Sequence, residues 1–504
     1  MEERDNKLMK PKHITFFIVI VFAILASIAY FMPEEGLRVA GKDFYFVSLE
    51  DVLKAGEDDK IDVEQLMQAR KDSLESRLNE LRNAHYQSIQ DSIDAANELA
   101  KSDPTRLQYG NDERNGLDVF FASLQTLSTG NQSVRIIHYG DSQIEEDRIT
   151  SYVRKRLQTK FGGAGVGMLA PLAITHSLTV SQYSSENWTR YTAFGAGGST
   201  ASDGRYGSTS VMCKYNNHIA DSLDTVWVEK TFSSGFVTFS PRSGAHETVK
   251  NYNRLRIFLG HNTAKSIITL SYDGITASRE IEPNSSLQIL NFELEKHPSK
   301  LTITFAGPAS PEVYGISLET PSGIHMDNVS MRGGSGTIFH KLNAELTKEM
   351  YAALSPKLII LQFGGNVMPY VDSKKKAENY GKEFLRNMKR IKQLCPNVSF
   401  LVIGPSDMSK NINGKMQTYP NLPDVRDALR EAAFEIGGAY FDIYEVMGGK
   451  NSMPSWVESN PPLAAKDYIH FSPKGAQKVA EVFYESLMLD YEHFLKRQKG
   501  KKGN

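Results

Sequence analysis

The sequence predicts an α/β fold with a parallel sheet that is interrupted by an inserted all-β sandwich. After residue 108, short apolar runs alternate with helix-like segments, which is typical of a parallel sheet covered on both faces. Between residues 205 and 320 this alternation stops, and short β-like runs follow one another among Ser, Thr, Asn and Gly. Closely spaced strands of this kind indicate an antiparallel sandwich.

Four apolar runs of the α/β part are predicted to be buried strands. They are residues 135–140, 358–363, 399–404 and 439–444, and the predicted helices are 147–160, 340–354, 374–394 and 425–436. Reactive groups of such folds collect beyond the carboxyl ends of the parallel strands. We therefore expect functional residues directly after these runs, at 141–142, 364–366 and 405–407.

The N-terminal segment predicts a membrane anchor. Residues 14–32 form an uncharged apolar run of about the length that spans a bilayer. Basic residues precede the run and Glu34 and Glu35 follow it, so the N-terminus is expected in the cytoplasm and the rest of the chain in the periplasm or outside the cell. A cleaved signal peptide stays open as an alternative, because Ser27-Ile28-Ala29 resembles a small-x-small cleavage site.

The segment that follows predicts a helical stalk. Residues 62–101 contain neither Gly nor Pro and are rich in helix-forming residues. A coiled-coil dimer is less favoured, because Ser88, Asp91 and Ser92 interrupt the heptad pattern. The predicted divisions are a cytoplasmic tip and anchor at 1–33, a stalk at 34–108, the α/β domain at 109–204 and 321–495, the sandwich at 205–320, and a basic tail at 496–504.

Composition excludes some classes of partner. The 504 residues carry a formal net charge of -1, so the chain lacks the basic footprint of a nucleic-acid-binding protein. Its two cysteines, Cys213 and Cys395, support neither a disulfide framework nor a zinc cluster. The oligomeric state is left open.

Two distant motifs combine a serine with a possible base. Gly140-Asp141-Ser142-Gln143 ends a predicted strand, and Asp467-Tyr468-Ile469-His470 precedes a predicted helix. A serine hydroxyl is a weak nucleophile unless a base accepts its proton, a third group orients that base, and donors stabilise the oxyanion. Ser142, His470 and Asp467 are the residue types that this chemistry needs.

These motifs resemble the sequence blocks of the SGNH hydrolases, also called GDSL-type esterases. The first block resembles Gly-Asp-Ser-Leu, with Gln143 in place of Leu, and the last matches Asp-x-x-His. The resemblance implies a flavodoxin-like three-layer core and catalysis by Ser142, Asp467 and His470, without metal or cofactor.

The oxyanion donors are carried over from the same resemblance. Gly364-Gly365-Asn366 is similar to the Gly-x-Asn-Asp block, with Val367 in place of Asp, which implies that the Asn366 side chain is a donor beside the Ser142 N–H. Gly333 is the candidate for the further glycine N–H, and Gly197 or Gly198 is the rival choice.

The exported setting and the inserted sandwich make the chain look like bacterial esterases that remove O-acetyl groups from cell-envelope polysaccharide or peptidoglycan. The insert is then similar to a carbohydrate-binding module, in which Tyr206, Tyr215, Trp227, Tyr252 and Tyr272 are candidates for sugar stacking. Alternatives are an O-acetyltransferase with the same triad, a lipid acylhydrolase, and a non-catalytic glycan-binding envelope protein.

Overall fold

The computed structural model divides the chain into two compact units, residues 1–61 and 62–504. In the first unit the structure describes residues 16–17, 19–21, 23, 27, 37–39 and 42–44, and in the second 62–83, 103, 105–127, 130–195, 199–215 and 233–502. In the first unit, strands Leu37–Val39 and Lys42–Phe44 pair antiparallel. All other elements discussed below belong to the second unit.

The predicted membrane segment, residues 14–32, lies largely outside the described residues. Among the residues that are described, no helix is long and apolar enough to cross a bilayer.

The second unit is built on a mixed sheet. Its described strands lie in the order Gly323–Ser330, Ser133–Gly140, Pro356–Gln362, Ser399–Ile403, Ala439–Phe441 and Gln108–Tyr109. All neighbours are parallel except at the Gln108–Tyr109 edge, where pairing is antiparallel. The predicted α/β fold with a parallel sheet is therefore confirmed, and Ser133–Gly140 occupies an inner position in the sheet.

Helices pack against this sheet and around it. Asp118–Thr126, Thr150–Phe161 and Leu422–Glu435 contact its strands directly. The other described α-helices are Val63–Asn83, Glu247–Lys250, Ala344–Leu354, Lys374–Leu394, Ile443–Met447, Ser452–Glu458 and Pro473–Lys502, and the 3-10 helices are Ser142–Asp147, Phe339–Lys341 and Gly365–Val367.

Two antiparallel sheets form the β-rich part. One contains Gln288–Glu293, Arg254–Gly260, Glu312–Glu319, Val211–Tyr215, Trp188–Thr192 and Gly167–Leu169, and the other contains Ile275–Ile281, Ser266–Tyr272, Leu301–Gly307, Ser233–Pro241 and Val180–Ser184. Trp188 of the first sheet meets Phe305 of the second edge to face at 5.4 Å. Strands at 167–169, 180–184 and 188–192 precede residue 205, so this part starts earlier in the chain than the predicted insertion.

The aromatic residues proposed from the sequence for sugar stacking belong to the interior. Tyr206, Tyr215, Tyr252 and Tyr272 are all buried, so their rings are not accessible to a sugar. The expectation was wrong for these four residues because their large apolar rings pack into the hydrophobic core. Trp227 lies outside the described residues.

A buried charge network joins the β-rich part to the central sheet. Arg135 of the central sheet pairs with Asp327 at 2.6 Å and with Glu319, the last residue of a sandwich strand. Arg254 binds the other oxygen of Glu319 at 2.6 Å. Asp327 lies on Gly323–Ser330, a strand that the apolar pattern did not predict because buried charged and polar residues interrupt it.

The described residues of the predicted helical stalk are only partly helical: Leu37–Val39 and Lys42–Phe44 are strands of the first unit, and helix Val63–Asn83 belongs to the second unit. Helix Val63–Asn83 packs against helix Pro473–Lys502, burying Leu74 and Leu78, and Glu64 pairs with Lys478 at 2.9 Å. The C-terminal helix continues to Lys502, so most of the predicted basic tail is helical.

Candidate active site

The turn that carries Ser142 follows an inner strand of the central sheet. A Cβ on Gly140 would lie 2.9 Å from Ile144 Cδ1 and 3.0 Å from the Gln362 carbonyl oxygen, so a side chain here would displace its neighbours. Asp141 then caps the 3-10 helix Ser142–Asp147 by accepting the Gln143 N–H at 2.9 Å. The partly buried Ser142 is thereby held at the carboxyl end of the strand, where the sequence placed it.

His470 connects Ser142 to Asp467. Its Nε2 lies 2.7 Å from Ser142 Oγ, and its Nδ1 lies 2.7 Å from Asp467 Oδ2. A carboxylate accepts but does not donate hydrogen bonds, so Nδ1 carries the proton in the neutral ring and Nε2 is the acceptor. The three predicted residues therefore form a continuous path from hydroxyl to carboxylate across 328 positions of sequence.

Asp467 is held in its charged form by a local turn. Burial raises its pKa, but hydrogen bonds from the His470 ring, the His470 N–H and the Ile469 N–H outweigh burial, and the net pKa is lowered. The two backbone N–H groups donate to Oδ1 at 3.0 and 2.9 Å. A charged Asp467 fixes the tautomer of His470, because it accepts the hydrogen bond from Nδ1.

The pKa of Asp141 is shifted in the opposite direction to that of Asp467. Its side chain is buried beneath the nucleophile turn, and burial raises its pKa to about 6, although the Gln143 N–H and the charge of His470 act against this rise. A buried carboxyl therefore lies close to the triad without taking part in it.

Asn366 lines the same cleft as Ser142 and His470. It belongs to the 3-10 helix Gly365–Val367 after strand Pro356–Gln362, and its Nδ2 donates to the Gly334 carbonyl at 3.0 Å. This bond uses one of the two amide protons and fixes the direction of the other. Val367, which replaces the acid usual in the SGNH block, packs against the hydrophobic core.

The loop of Gly333 adjoins Asn366 through Gly334. Gly333 itself is exposed and has a φ of +75°, and it is not among the described residues that line the cleft at Ser142. A Cβ on Gly333 would lie 4.0 Å from the Cα of Gly195. Gly195 thus lies beside Gly333. The alternative candidates for the glycine donor, Gly197 and Gly198, lie outside the described residues.

In the third position predicted from the sequence, residues 405–407, one side chain lines the cleft and another is buried in the protein interior. Ser406 lines the cleft. Asp407 is buried and accepts hydrogen bonds from Thr418 Oγ1 and the Met453 N–H, both at 2.7 Å. Burial raises its pKa, and these bonds assign Asp407 a structural role.

An open cleft of about 250 Å³ contains Ser142, Asn366 and His470, with Tyr370 and Tyr419 on its walls. A second cleft of about 120 Å³ lies at the other end of the 3-10 helix Ser142–Asp147 and includes Glu146 and Arg190. Neither Ser142 nor His470 lines the second cleft. The arrangement of acid, base and nucleophile therefore identifies the first cleft as the candidate active site.

In the described ranges, no group of three or more His, Cys, Asp or Glu side chains is arranged to hold a metal ion. Cys213 and Cys395 are buried and do not form a disulfide.

A known protein structure shares this fold. A solved peptidoglycan O-acetylesterase superposes with a TM-score of 0.57 and 23% sequence identity, covering 74% of this chain and 96% of its own. Two further esterases superpose too loosely to inform the site. One is an acetyl xylan esterase, with a TM-score of 0.26 and 13% identity, covering 32% of this chain and 81% of its own. The other is a family two carbohydrate esterase from Clostridium thermocellum in complex with cellohexaose, with a TM-score of 0.23 and 9% identity, covering 51% of this chain and 93% of its own. No protein-family model and no curated protein matches the sequence. This chain therefore shares its fold with a peptidoglycan O-acetylesterase of known structure.

Proposed function

We propose that this protein is an exported serine ester hydrolase that removes acyl groups, in particular O-acetyl groups, from cell-envelope polysaccharide or peptidoglycan. The observation that carries the proposal is the path from Ser142 Oγ through His470 to Asp467, with both heavy-atom distances at 2.7 Å. This is the geometry that acyl transfer to a serine requires.

In the first half of the reaction, Ser142 Oγ attacks the ester carbonyl carbon while its proton passes to His470 Nε2. The carbonyl π electrons move to oxygen and form a tetrahedral oxyanion. When the intermediate collapses, the bond to the sugar oxygen breaks and His470 returns the proton to that oxygen. The products of this half are a free sugar hydroxyl and an acyl-serine.

In the second half, water attacks the acyl-serine carbonyl and gives a proton to His470. Collapse of the second tetrahedral intermediate breaks the bond to Ser142 Oγ, which recovers the proton from His470, and the free acid leaves. Asp467 stabilises the imidazolium in both halves without accepting its proton.

The oxyanion is stabilised by three donors in this proposal, namely the Ser142 N–H, the Gly333 N–H and the Asn366 side chain. Support comes from the hydrogen bond between Asn366 and the Gly334 carbonyl, which orients the second amide proton and holds the loop of Gly333 beside it. Donors fixed before the reaction stabilise developing charge without reorganisation.

A glycan substrate is supported by the fold and by the rim of the cleft. The solved structure with the TM-score of 0.57 is a peptidoglycan O-acetylesterase. Tyr370, which lines the cleft, is 76% exposed, and an exposed aromatic face at a binding cleft suits the apolar face of a sugar ring. Export and anchoring by residues 14–32 would bring the site to such a polymer.

The direct test is acetate release from O-acetylated peptidoglycan by the full-length protein, compared with Ser142→Ala and His470→Ala. We expect release by the wild type and loss of nearly all turnover in both variants, on this polymer and on an aryl acetate. Full activity in either variant would refute the mechanism. Acetate that appears on an added glycan acceptor and not in solution would show transfer in place of hydrolysis.

A substitution at the rim of the cleft tests whether the substrate is a glycan. Tyr370→Ala should lower kcat/KM on the polymer about tenfold and leave aryl acetate turnover unchanged. Tyr183, which is 64% exposed on the sandwich, provides the matched control, and Tyr183→Ala should leave both activities unchanged. Equal losses on polymer and aryl acetate in Tyr370→Ala would contradict a sugar-binding role.

A further inference from the structure

The side chain of Gln143 binds the peptide groups on both sides of the catalytic histidine. Its Nε2 donates to the Ile469 carbonyl at 2.6 Å, and its Oε1 accepts the Phe471 N–H at 3.3 Å. Ile469 and Phe471 are the neighbours of His470 in sequence. The residue directly after the nucleophile is therefore hydrogen-bonded to the backbone that carries the base.

The amide group is suited to this position because it combines a donor and an acceptor in one plane. A leucine, the residue usual in the SGNH block, has neither. Gln143 Nε2 also lies 3.2 Å from Ser406 Oγ, which restrains its rotation. The chemistry of the side chain thus matches the two backbone groups that it meets.

The loop of His470 needs an external restraint. His470 and Asp467 have side chains that are 32% and 46% exposed, so little packing surrounds the base. Beyond Gln143, the loop is anchored by Arg148 Nη1, which donates to the Phe471 carbonyl at 3.1 Å, and by the Ser409 N–H, which donates to the Tyr468 carbonyl at 2.9 Å. Among these contacts, the Gln143 amide alone holds the peptide groups on both sides of His470.

We propose that Gln143 is a positioning residue that sets the distance between Ser142 Oγ and His470 Nε2 for proton transfer. This inference rests on the proposed esterase function. A displacement of a catalytic group by about 1 Å can lower a rate about a hundredfold. Losing Gln143 should therefore slow the chemical step more than it weakens substrate binding.

The experiment compares Gln143→Leu and Gln143→Glu with a control, Gln182→Leu, in the full-length protein. Gln182 is also a partly buried glutamine, and its Nε2 donates to the Ala170 and Pro171 carbonyls at 2.8 Å each, but it does not line the catalytic cleft. The measurements are kcat and KM for an aryl acetate, the rate of Ser142 labelling by a fluorophosphonate, and the thermal unfolding midpoint.

For Gln143→Leu we expect kcat to fall at least tenfold with KM changed less than twofold, and the labelling rate to fall in parallel. Gln182→Leu should keep wild-type kinetics even where its unfolding midpoint falls. A kcat for Gln143→Leu within twofold of wild type, or a change in KM alone, would overturn the positioning role.

The glutamate variant adds a readout that a purely structural role would not move. A protonated carboxyl offers one donor and one acceptor, as the amide does, whereas a carboxylate offers no donor to the Ile469 carbonyl. The ratio of kcat/KM in Gln143→Glu to that of wild type should therefore rise as pH falls from 8 to 5.5. A ratio that does not change with pH would overturn the proposal, even if Gln143→Leu fails to fold.

The two proposals fail in different ways. If Ser142→Ala keeps full esterase activity, the proposed function is wrong. If activity depends on Ser142 but Gln143→Leu behaves like wild type, the proposed function stands and the role of Gln143 is wrong.

Discussion

Replacing Asp141 with Asn should change how the stability of the protein depends on pH. The pKa of Asp141 is raised from 3.8 to about 6 by burial, so the folded state holds this proton more tightly than the unfolded state does. Between pH 3.8 and about pH 6 the folded state binds more protons than the unfolded state, so the stability of the protein falls as pH rises. A pKa difference of this size corresponds to about 3 kcal/mol in full, of which about 2 kcal/mol falls between pH 4 and pH 8.

An asparagine at position 141 does not titrate, so it removes this pH-dependent loss. The free energy of unfolding of Asp141→Asn relative to wild type should rise by about 2 kcal/mol from pH 4 to pH 8, as measured by urea denaturation at several pH values. Any constant effect of the new amide on the turn cancels in this comparison. A difference that stays flat, or that falls with pH, would refute burial as the dominant influence on Asp141.

Asp372 provides a control, because its pKa is shifted in the opposite direction to that of Asp141. It is exposed, and a hydrogen bond from Lys376 lowers its pKa. Its contribution to stability is present above its ordinary pKa and is lost as pH falls. The stability of Asp372→Asn relative to wild type should therefore not rise between pH 4 and pH 8.

Asp467→Asn should lower kcat for an aryl acetate on the order of a thousandfold or more with little change in KM, because an amide no longer selects the tautomer with the proton on Nδ1; a loss below tenfold would contradict the role of this carboxylate. Asn366→Ala should cost about a hundredfold in kcat if its amide stabilises the oxyanion, and a loss below threefold would assign that task to other groups. Arg135→Met should lower the free energy of unfolding by about 3–5 kcal/mol, since it leaves buried Asp327 without its ion-pair partner and removes one of the partners of Glu319. Urea denaturation checks this value, and an unchanged midpoint would contradict it.

Local sequence predicted the elements that have a strong apolar pattern. Helix Lys374–Leu394 has the predicted bounds, and strand Ser133–Gly140 begins two residues before its predicted start, because an apolar run between turn residues favours one kind of element. Strand Gly323–Ser330 was missed because Asp327 and other polar residues occupy buried positions in it. The charge of buried Asp327 is compensated by Arg135, which is 192 positions away in sequence, and local pattern carries no such information.

In the candidate site, too, short motifs predicted some of the residues and the fold revealed the role of another. Ser142, Asp467 and His470 were named from short motifs, because the chemistry of a serine nucleophile calls for those residue types and strand ends are where such groups collect. The sequence showed Gln143 only as a departure from a familiar motif. Its role became visible when the fold placed its amide against Ile469 and Phe471.

By itself, the sequence determined which chemical groups the chain possesses and where the strands and helices with a strong apolar pattern lie, since both depend on residue type and local periodicity. Tertiary structure decided which of those groups meet. The 2.7 Å contact between Ser142 and His470, the raised pKa of Asp141 and the burial of the candidate sugar-binding tyrosines all depend on residues far apart in the chain. Distance, burial and charge are properties of neighbours in space, and the packing of the whole chain sets them.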